Sequence, residues 1–87
     1  MTEQLIGNNL RRLRFDHDQM SQATLARIVG VTRQTIVAIE TGRYAPSLEL
    51  AMRLAAVFGR GVDDLFHWLD AEAARASYKQ QRGEEGG

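Results

Sequence analysis

The chain of 87 residues contains no cysteine, a single proline and only six aromatic residues. Without cysteine it can form neither disulfides nor thiolate zinc sites. No apolar run approaches the roughly 18 residues that a membrane-spanning helix needs. The start, MTEQLIGNNLRRLR, lacks the order of cationic, apolar and small-residue regions found in a signal peptide. We therefore expect a cytoplasmic protein that has no contact with membranes.

Residue patterns that support catalysis are also missing. His17 and His67, the two histidines, are far apart in sequence and lack the spacing of a metal-binding pair. There is no glycine-rich phosphate loop and no cysteine nucleophile. The sequence therefore predicts no enzymatic activity, no bound metal and no cofactor.

The net charge is zero, but the charges are unevenly distributed. Residues 1–60 carry eight cations and five acids, a net charge of +3, whereas residues 61–87 carry three cations and six acids, a net charge of −3. A basic body with an acidic tail fits an anionic partner better than a uniformly neutral surface does.

Helical periodicity dominates the chain, and no segment shows sustained alternation of apolar and polar residues. The first helix is expected to begin near Thr2 or Glu3 and to place Ile6 on its apolar stripe. Hydroxyl residues suited to capping helix N-termini precede the next three helices, at Ser21, Thr32 and Ser47. The fourth helix is expected to bury Leu48, Ala51, Leu54, Ala55 and Phe58.

The segment VDDLF predicts a short fifth helix with Val62, Leu65 and Phe66 facing inward. We expect one domain over residues 1–69. A C-terminal extension over residues 70–87 should be partly helical and then disordered, because it is rich in helix-forming residues and ends in GEEGG.

Residues 22–41 satisfy the steric demands of two short helices joined by a tight turn. Ala26 is small at the expected helix crossing, and Gly30 can adopt the positive φ of the turn. Val31 fills the angle between the helices, while Ile36 and Ile39 hold the second helix on the first. This combination indicates a helix-turn-helix rather than a plain helical hairpin.

The stretch MSQATLARIVGVTRQTIVAIETGRYAPSLELAMRLAAVFGRGVDDLF resembles the Cro/C1-type (Xre-type) helix-turn-helix family of phage and bacterial repressors. The likeness runs from about Asn9 to Phe66. It implies an all-α, five-helix, lambda-repressor-like domain that binds a pseudo-palindromic operator in double-stranded DNA as a homodimer and regulates transcription. The segment LRFDHDQMSQ is one residue longer than the common family pattern.

The third helix is expected to read bases in the major groove with its N-terminal residues. Arginine can donate two hydrogen bonds to guanine, and glutamine can pair with adenine in the same bidentate way. The expected base contacts are Arg33, Gln34, Thr35, Val37 and Ala38. The alternative is that Arg33 and Gln34 belong to a solvated helix start without a ligand.

Phosphate contacts are expected from Arg11, Gln22, Thr32, Arg43 and Tyr44. The resemblance implies that Gln22 both holds a phosphate and braces the recognition helix, although an exposed glutamine is the alternative. The family pattern also pairs an acid at the end of this helix with an arginine of the first helix. Arg14 and Glu40 are therefore expected to form a structural salt bridge.

Phe66, Trp68 and Leu69 form an apolar cluster that indicates a dimer interface. The alternative is that Trp68 folds back onto the first or fourth helix. A second function also remains open, because the same fold serves antitoxins that bind a toxin and repress their own operon.

Overall fold

The computed structural model of the chain describes residues 5–76. Its elements in chain order are β1 (Ile6–Asn8), α1 (Leu10–Asp16), α2 (Gln22–Val29), α3 (Arg33–Glu40), α4 (Leu48–Val57), α5 (Val62–Leu65) and β2 (Phe66–Trp68). Residues 71–76 are also helical. The expected five-helix domain is confirmed, while the expected disordered tail lies outside the described residues. Within residues 5–76, no helix is both long and apolar enough to cross a membrane.

Three helices begin at hydroxyl residues, as the sequence predicts. The Ser21 hydroxyl accepts a hydrogen bond from the Thr24 amide at 3.0 Å, and that of Ser47 accepts from Leu50 at 3.1 Å. Thr32 caps α3 in the same way by accepting from the Thr35 amide at 3.2 Å. Each cap satisfies an amide that the helix itself leaves unpaired, so the starts of α2, α3 and α4 are locally encoded.

The turn between α2 and α3 depends on Gly30, whose φ of 80° lies in the left-handed region. The amides of Gly30 and Val31 both donate to the Ala26 carbonyl, at 2.9 and 3.0 Å. Glycine adopts this backbone conformation without a Cβ clash, so α2 ends here and α3 can cross it. Val31 packs against the core between the two helices.

The core lies among all five helices, and its fully buried residues are Leu10, Leu25, Ile36, Ile39, Leu54 and Leu65. The expectation that Leu48 is buried is wrong, since its side chain is 71% exposed. Leu48 is the first residue of α4, and Leu50, Ala51, Leu54 and Ala55 form the buried face of that helix. Leu48 is on the same stripe as Ala51 and Ala55, but it stands at the N-terminal end of α4, where its side chain is left uncovered.

A two-stranded antiparallel ribbon joins the two ends of the domain, and the sequence did not predict it. β1 pairs with β2 so that Ile6 lies opposite Trp68, Gly7 opposite His67 and Asn8 opposite Phe66. The expected start of the first helix is wrong, because residues 6–8 form this strand and α1 begins at Leu10. Two strands of three residues each are too short to show the alternation that predicts a strand.

The turn between α1 and α2 contains two consecutive residues with left-handed backbone conformation. Asp18 has a φ of 55° and Gln19 a φ of 53°. Beyond them the Met20 amide donates to the Arg14 carbonyl at 2.8 Å, which closes the turn. This turn therefore holds two consecutive non-glycine residues in a strained backbone conformation.

Candidate nucleic-acid interface

The first turn of α3 presents polar side chains to the solvent. Thr32, Arg33 and Gln34 are exposed, and Thr35 is half-buried. Val37 and Ala38 are half-buried as well, so only part of each methyl surface is accessible. An α-helix fits the major groove, and these are the residues that its N-terminal end would bring to the bases.

Gln22, the first residue of α2, connects the two ends of α3. Its side-chain amide donates to Glu40 Oε1 at 3.1 Å. Its carbonyl oxygen accepts a hydrogen bond from Arg33 Nη2 at 3.2 Å. The side chain is half-buried, and these two bonds determine which way the amide faces.

Arg14 and Glu40 form a bidentate ion pair between α1 and the last residue of α3. Arg14 Nε donates to Glu40 Oε2 at 2.6 Å, and Nη2 donates to Oε1 at 2.9 Å. The side chains are only 13% and 7% exposed, so water screens the pair weakly. Arg14 Nη1 also donates to the Met20 carbonyl at 2.8 Å, which links the pair to the α1–α2 turn.

These contacts form one continuous chain of hydrogen bonds from Arg14 through Glu40 and Gln22 to Arg33. The Glu40 carboxylate accepts three of the bonds, two from Arg14 and one from Gln22. The acid at the end of α3 is therefore neutralised within the protein. A negatively charged ligand at this surface would meet the arginines rather than an unpaired carboxylate.

A polar depression of about 430 Å³ lies beside this chain and is lined by Arg11, Arg14, Gln22, Glu40 and Thr41. The structure thus brings Arg11 and Gln22, two of the residues expected at phosphates, to one site. Arg43 and Tyr44 lie in the loop after α3, where both amides donate to the Ala38 carbonyl, at 2.9 and 3.2 Å. Their side chains are exposed on the same loop.

The helix-turn-helix family profile matches residues 10–65, which include all five helices. This chain belongs to the Cro/C1-type helix-turn-helix family. An uncharacterised HTH-type transcriptional regulator of Methanocaldococcus jannaschii is 46% identical over 65 residues, which cover 75% of this chain and 97% of that protein. Another, from Bacillus subtilis, is 48% identical over 61 residues, which cover 70% of this chain and 86% of that protein.

The crystal structure of a candidate DNA-binding protein from Bacteroides fragilis shows the same fold as this helix-turn-helix protein. The TM-score is 0.63 at 19% sequence identity, and the superposition covers 72% of this chain and all of the other.

Asn8 is a positioning residue of the helix-turn-helix protein that sequence reasoning missed. Its side-chain amide donates to the Ile39 carbonyl at 2.9 Å, and its side-chain oxygen accepts from the Leu10 amide at 3.2 Å. It thereby joins β1 to both α1 and the end of α3. The pair Asn8–Asn9 before the start of α1 is a recognisable capping signal, although nothing in it identifies Ile39 as the partner.

The three residues expected at a dimer interface are not equivalent in the structure. Phe66 is half-buried and packs against the core, whereas Trp68 and Leu69 are 55% and 54% exposed. Trp68 lies on the ribbon opposite Ile6 rather than folding back onto α1 or α4. The Leu69 amide donates to the Leu5 carbonyl at 2.8 Å, which extends the pairing beyond β2.

Proposed function

We propose that this protein is a sequence-specific transcriptional repressor that reads operator DNA in the major groove with α3. Membership of a family of DNA-binding transcriptional regulators supports the general part of this proposal. The specific part depends on one observation. Arg33 and Gln34 are exposed at the N-terminal turn of a helix that is held at both of its ends.

The contact between Arg33 and Gln22 leaves Arg33 able to read a base. A guanidinium has five N–H donors, and one of the Arg33 nitrogens contacts the Gln22 oxygen. The remaining donors are sufficient for two parallel bonds to guanine O6 and N7. Gln34 is the matching candidate for adenine, and Thr35, Val37 and Ala38 complete the proposed base-contacting surface. The two apolar side chains can contact a thymine methyl group.

The proposed phosphate contacts surround this surface. Gln22 Nε2 has a second N–H besides the one donated to Glu40, and this second donor suits a phosphate oxygen. Arg11 lines the same polar depression, and Arg43 and Tyr44 extend the contact surface beyond the end of α3. Thr32 already uses its hydroxyl as the helix cap, so its phosphate contact would come through the N-terminal turn of α3.

Substitution of Arg33 tests the proposed base contact. DNA fragments selected from a random pool by the purified full chain would define the operator. We expect Arg33→Ala to lose about 1–3 kcal/mol of binding free energy on that operator and little on random DNA, because a bidentate guanine contact is sequence-specific. Fluorescence anisotropy with labelled duplexes measures both losses.

Arg60→Ala is the matched control, since Arg60 is an exposed arginine in the turn between α4 and α5. It should leave the preference for the operator unchanged. Equal losses on operator and random DNA in Arg33→Ala would make Arg33 a phosphate contact and contradict base reading. A reporter promoter carrying the operator should be silenced by the wild type and released by Arg33→Ala, whereas activation would contradict repression.

We further propose that the protein binds a pseudo-palindromic operator as a homodimer, with Phe66, Trp68 and Leu69 at or near the interface. The exposure of Trp68 and Leu69 supports this assignment, because large exposed apolar side chains that cluster commonly mark interfaces. A two-fold dimer would place its two α3 helices in half-sites about 34–36 Å apart on one face of the DNA.

The same exposed side chains favour an antitoxin as the second candidate function. A toxin could cover Trp68 and Leu69 while α3 represses the shared operon. A small gene of toxin type that adjoins this one would favour this alternative. Its product should then arrest growth when expressed alone and form a stable complex with this protein.

A further inference from the structure

An apolar groove runs between the ribbon, the α3–α4 loop and the beginning of α4. It has a volume of about 540 Å³, and its walls include Leu5, Ile6, Tyr44, Pro46, Leu48 and Phe66. Leu48 is 71% exposed and Tyr44 47% exposed, so much of this apolar surface is in contact with water. Contiguous apolar surface of this kind is unfavourable on a monomer and marks a place where another surface binds.

The ribbon places Trp68 beside this groove. Side chains alternate between the two faces of a strand, so the opposed pairs Ile6–Trp68 and Asn8–Phe66 share one face. Ile6, Asn8 and Phe66 line the groove, which puts Trp68 at its outer edge. On the opposite face of the ribbon, the side chain of Leu69 lies over Gly7. A Cβ atom added at Gly7 would be only 2.7 Å from Leu69 Cδ2.

The charges of the groove favour an apolar occupant. Among the described residues that line it, Arg43 is the only charged one. A charged partner segment would therefore lose its hydration without gaining an ion pair for most of its charges. A large apolar side chain has no such hydration of charge to lose. The exposed side chain of Trp68 lies at the edge of the same groove.

The position of the groove relative to α3 favours a second copy as the source of that side chain. Arg43 and Tyr44 form part of the groove wall and lie in the loop that follows α3, so the groove borders the proposed DNA-binding surface. A two-fold dimer needs its interface beside that surface if both α3 helices are to reach one face of the DNA. The exposed side of α1 suits contact between copies less well, because Arg11 and Arg12 would face like charges.

We propose that the groove receives Trp68 of a second copy of this chain, while the Trp68 of the first copy enters the groove of the second about a two-fold axis. This inference rests on the proposed DNA-binding dimer and specifies its two contacting surfaces. Trp68 of one copy and Leu48 of the other lie at the centre of the proposed interface. Leu69, on the other face of the ribbon, lies near this interface but outside the groove.

The emission of Trp68 tests the proposal in the unmodified protein, because this is the only tryptophan of the chain. We expect the emission maximum to move to shorter wavelength as protein concentration rises, in step with dimer formation by sedimentation velocity. The physical reason is that a side chain 55% exposed in one copy becomes buried in the groove of the other.

Two variants alter the two surfaces separately. Trp68→Ala removes the inserted side chain, and Leu48→Glu places a carboxylate in the groove wall. A carboxylate in the first turn of α4 is favourable for the helix itself, so Leu48→Glu should fold. We expect each variant to weaken dimerisation at least about tenfold, since a buried tryptophan commonly dominates interface energy. Met52→Glu is the control, because Met52 is 57% exposed on α4 and does not line the groove.

A mixing experiment separates reciprocal insertion from any other dimer. A heterodimer of Trp68→Ala and Leu48→Glu retains one intact pair, the tryptophan of the Leu48→Glu chain in the groove of the Trp68→Ala chain. The mixture should therefore dimerise more tightly than Trp68→Ala alone. If the mixture dimerises no more tightly than Trp68→Ala alone, reciprocal insertion is contradicted. It is also contradicted if either variant dimerises as tightly as the wild type.

Two further outcomes would overturn the proposal. One is a wild-type protein that stays monomeric at all concentrations. The other is a toxin partner whose complex is lost in Leu48→Glu while self-association is absent. Operator binding is measured separately, with Arg33→Ala as the reference variant. Wild-type dimerisation of both groove variants with operator preference retained rejects only the groove assignment, whereas an intact wild-type dimer without operator preference rejects the proposed function.

Discussion

Replacement of Glu40 by glutamine should destabilise the protein far more than the same replacement of an exposed glutamate. The carboxylate accepts three hydrogen bonds, two of them from the Arg14 guanidinium, and only 7% of its side chain is exposed. Glutamine keeps the shape but presents one NH₂ group in a place where an acceptor is needed. Arg14 also loses its counter-charge while it remains 87% buried, the complement of its 13% exposure.

Loss of one partner from a buried ion pair lowers the free energy of unfolding by about 3–5 kcal/mol. The remaining exposure of Arg14 and Glu40 favours the lower end of this range. In a domain of this size, about 3 kcal/mol corresponds to a fall in Tm of roughly 12–24 °C. Thermal and urea denaturation followed by circular dichroism would measure both quantities. The double variant Arg14→Met with Glu40→Leu should recover part of the loss, because it leaves no unpaired charge.

The chain offers a matched control for this experiment. Glu49 pairs with Arg53 one turn further along α4, but those side chains are 73% and 56% exposed. Glu49→Gln should therefore cost less than about 1 kcal/mol. If Glu40→Gln destabilised the protein no more than Glu49→Gln does, burial of the Arg14–Glu40 pair would not be the source of its effect.

Three other substitutions have defined expectations. Thr32→Ala and Ser21→Ala should each cost about 1 kcal/mol of stability, because each removes a helix cap, as denaturation would show. Only Thr32→Ala should also weaken DNA binding. If the two variants bound DNA with equal affinity, the N-terminal turn of α3 would have no role in binding a phosphate. Gln19→Gly should stabilise the protein by about 0.5–1 kcal/mol in urea denaturation, since Gln19 has a φ of 53° that glycine adopts without strain. A loss of stability in Gln19→Gly would show that the gain in unfolded-chain entropy outweighs the relieved strain.

Features encoded within a few residues could be predicted from the sequence. The caps at Ser21, Thr32 and Ser47 depend on amides three positions ahead, and Gly30 ends α2 through its own backbone conformation. The buried residues of α2 and α3 followed from the same short spacings. Contact between Arg14 and Glu40 spans 26 positions, and it was expected only because the family pattern pairs these sites.

Features that depend on distant partners could not be predicted in this way. Ile6 fitted the apolar stripe of a helix, and only its pairing with Trp68 makes residues 6–8 a strand. Leu48 shares the apolar stripe of α4, but it is the first residue of the helix and remains exposed, because burial at that end depends on which elements pack beside it. The hydrogen bond from Arg33 to Gln22 likewise follows from the crossing of α2 over α3 and not from either helix alone.

The ribbon joins residues about 60 positions apart, and this has a consequence for the order in which surfaces appear during synthesis. All residues of the helix-turn-helix and of its polar network, from Arg14 to Glu40, have been synthesised once α3 has left the ribosome. The apolar groove also needs Phe66, and the side chain proposed to fill it lies two residues later. A nascent or truncated chain that stops before β2 therefore has the residues proposed to contact DNA but not the surface proposed to pair two copies. If two copies pair in this way, only chains whose domain has been fully translated can assemble at an operator.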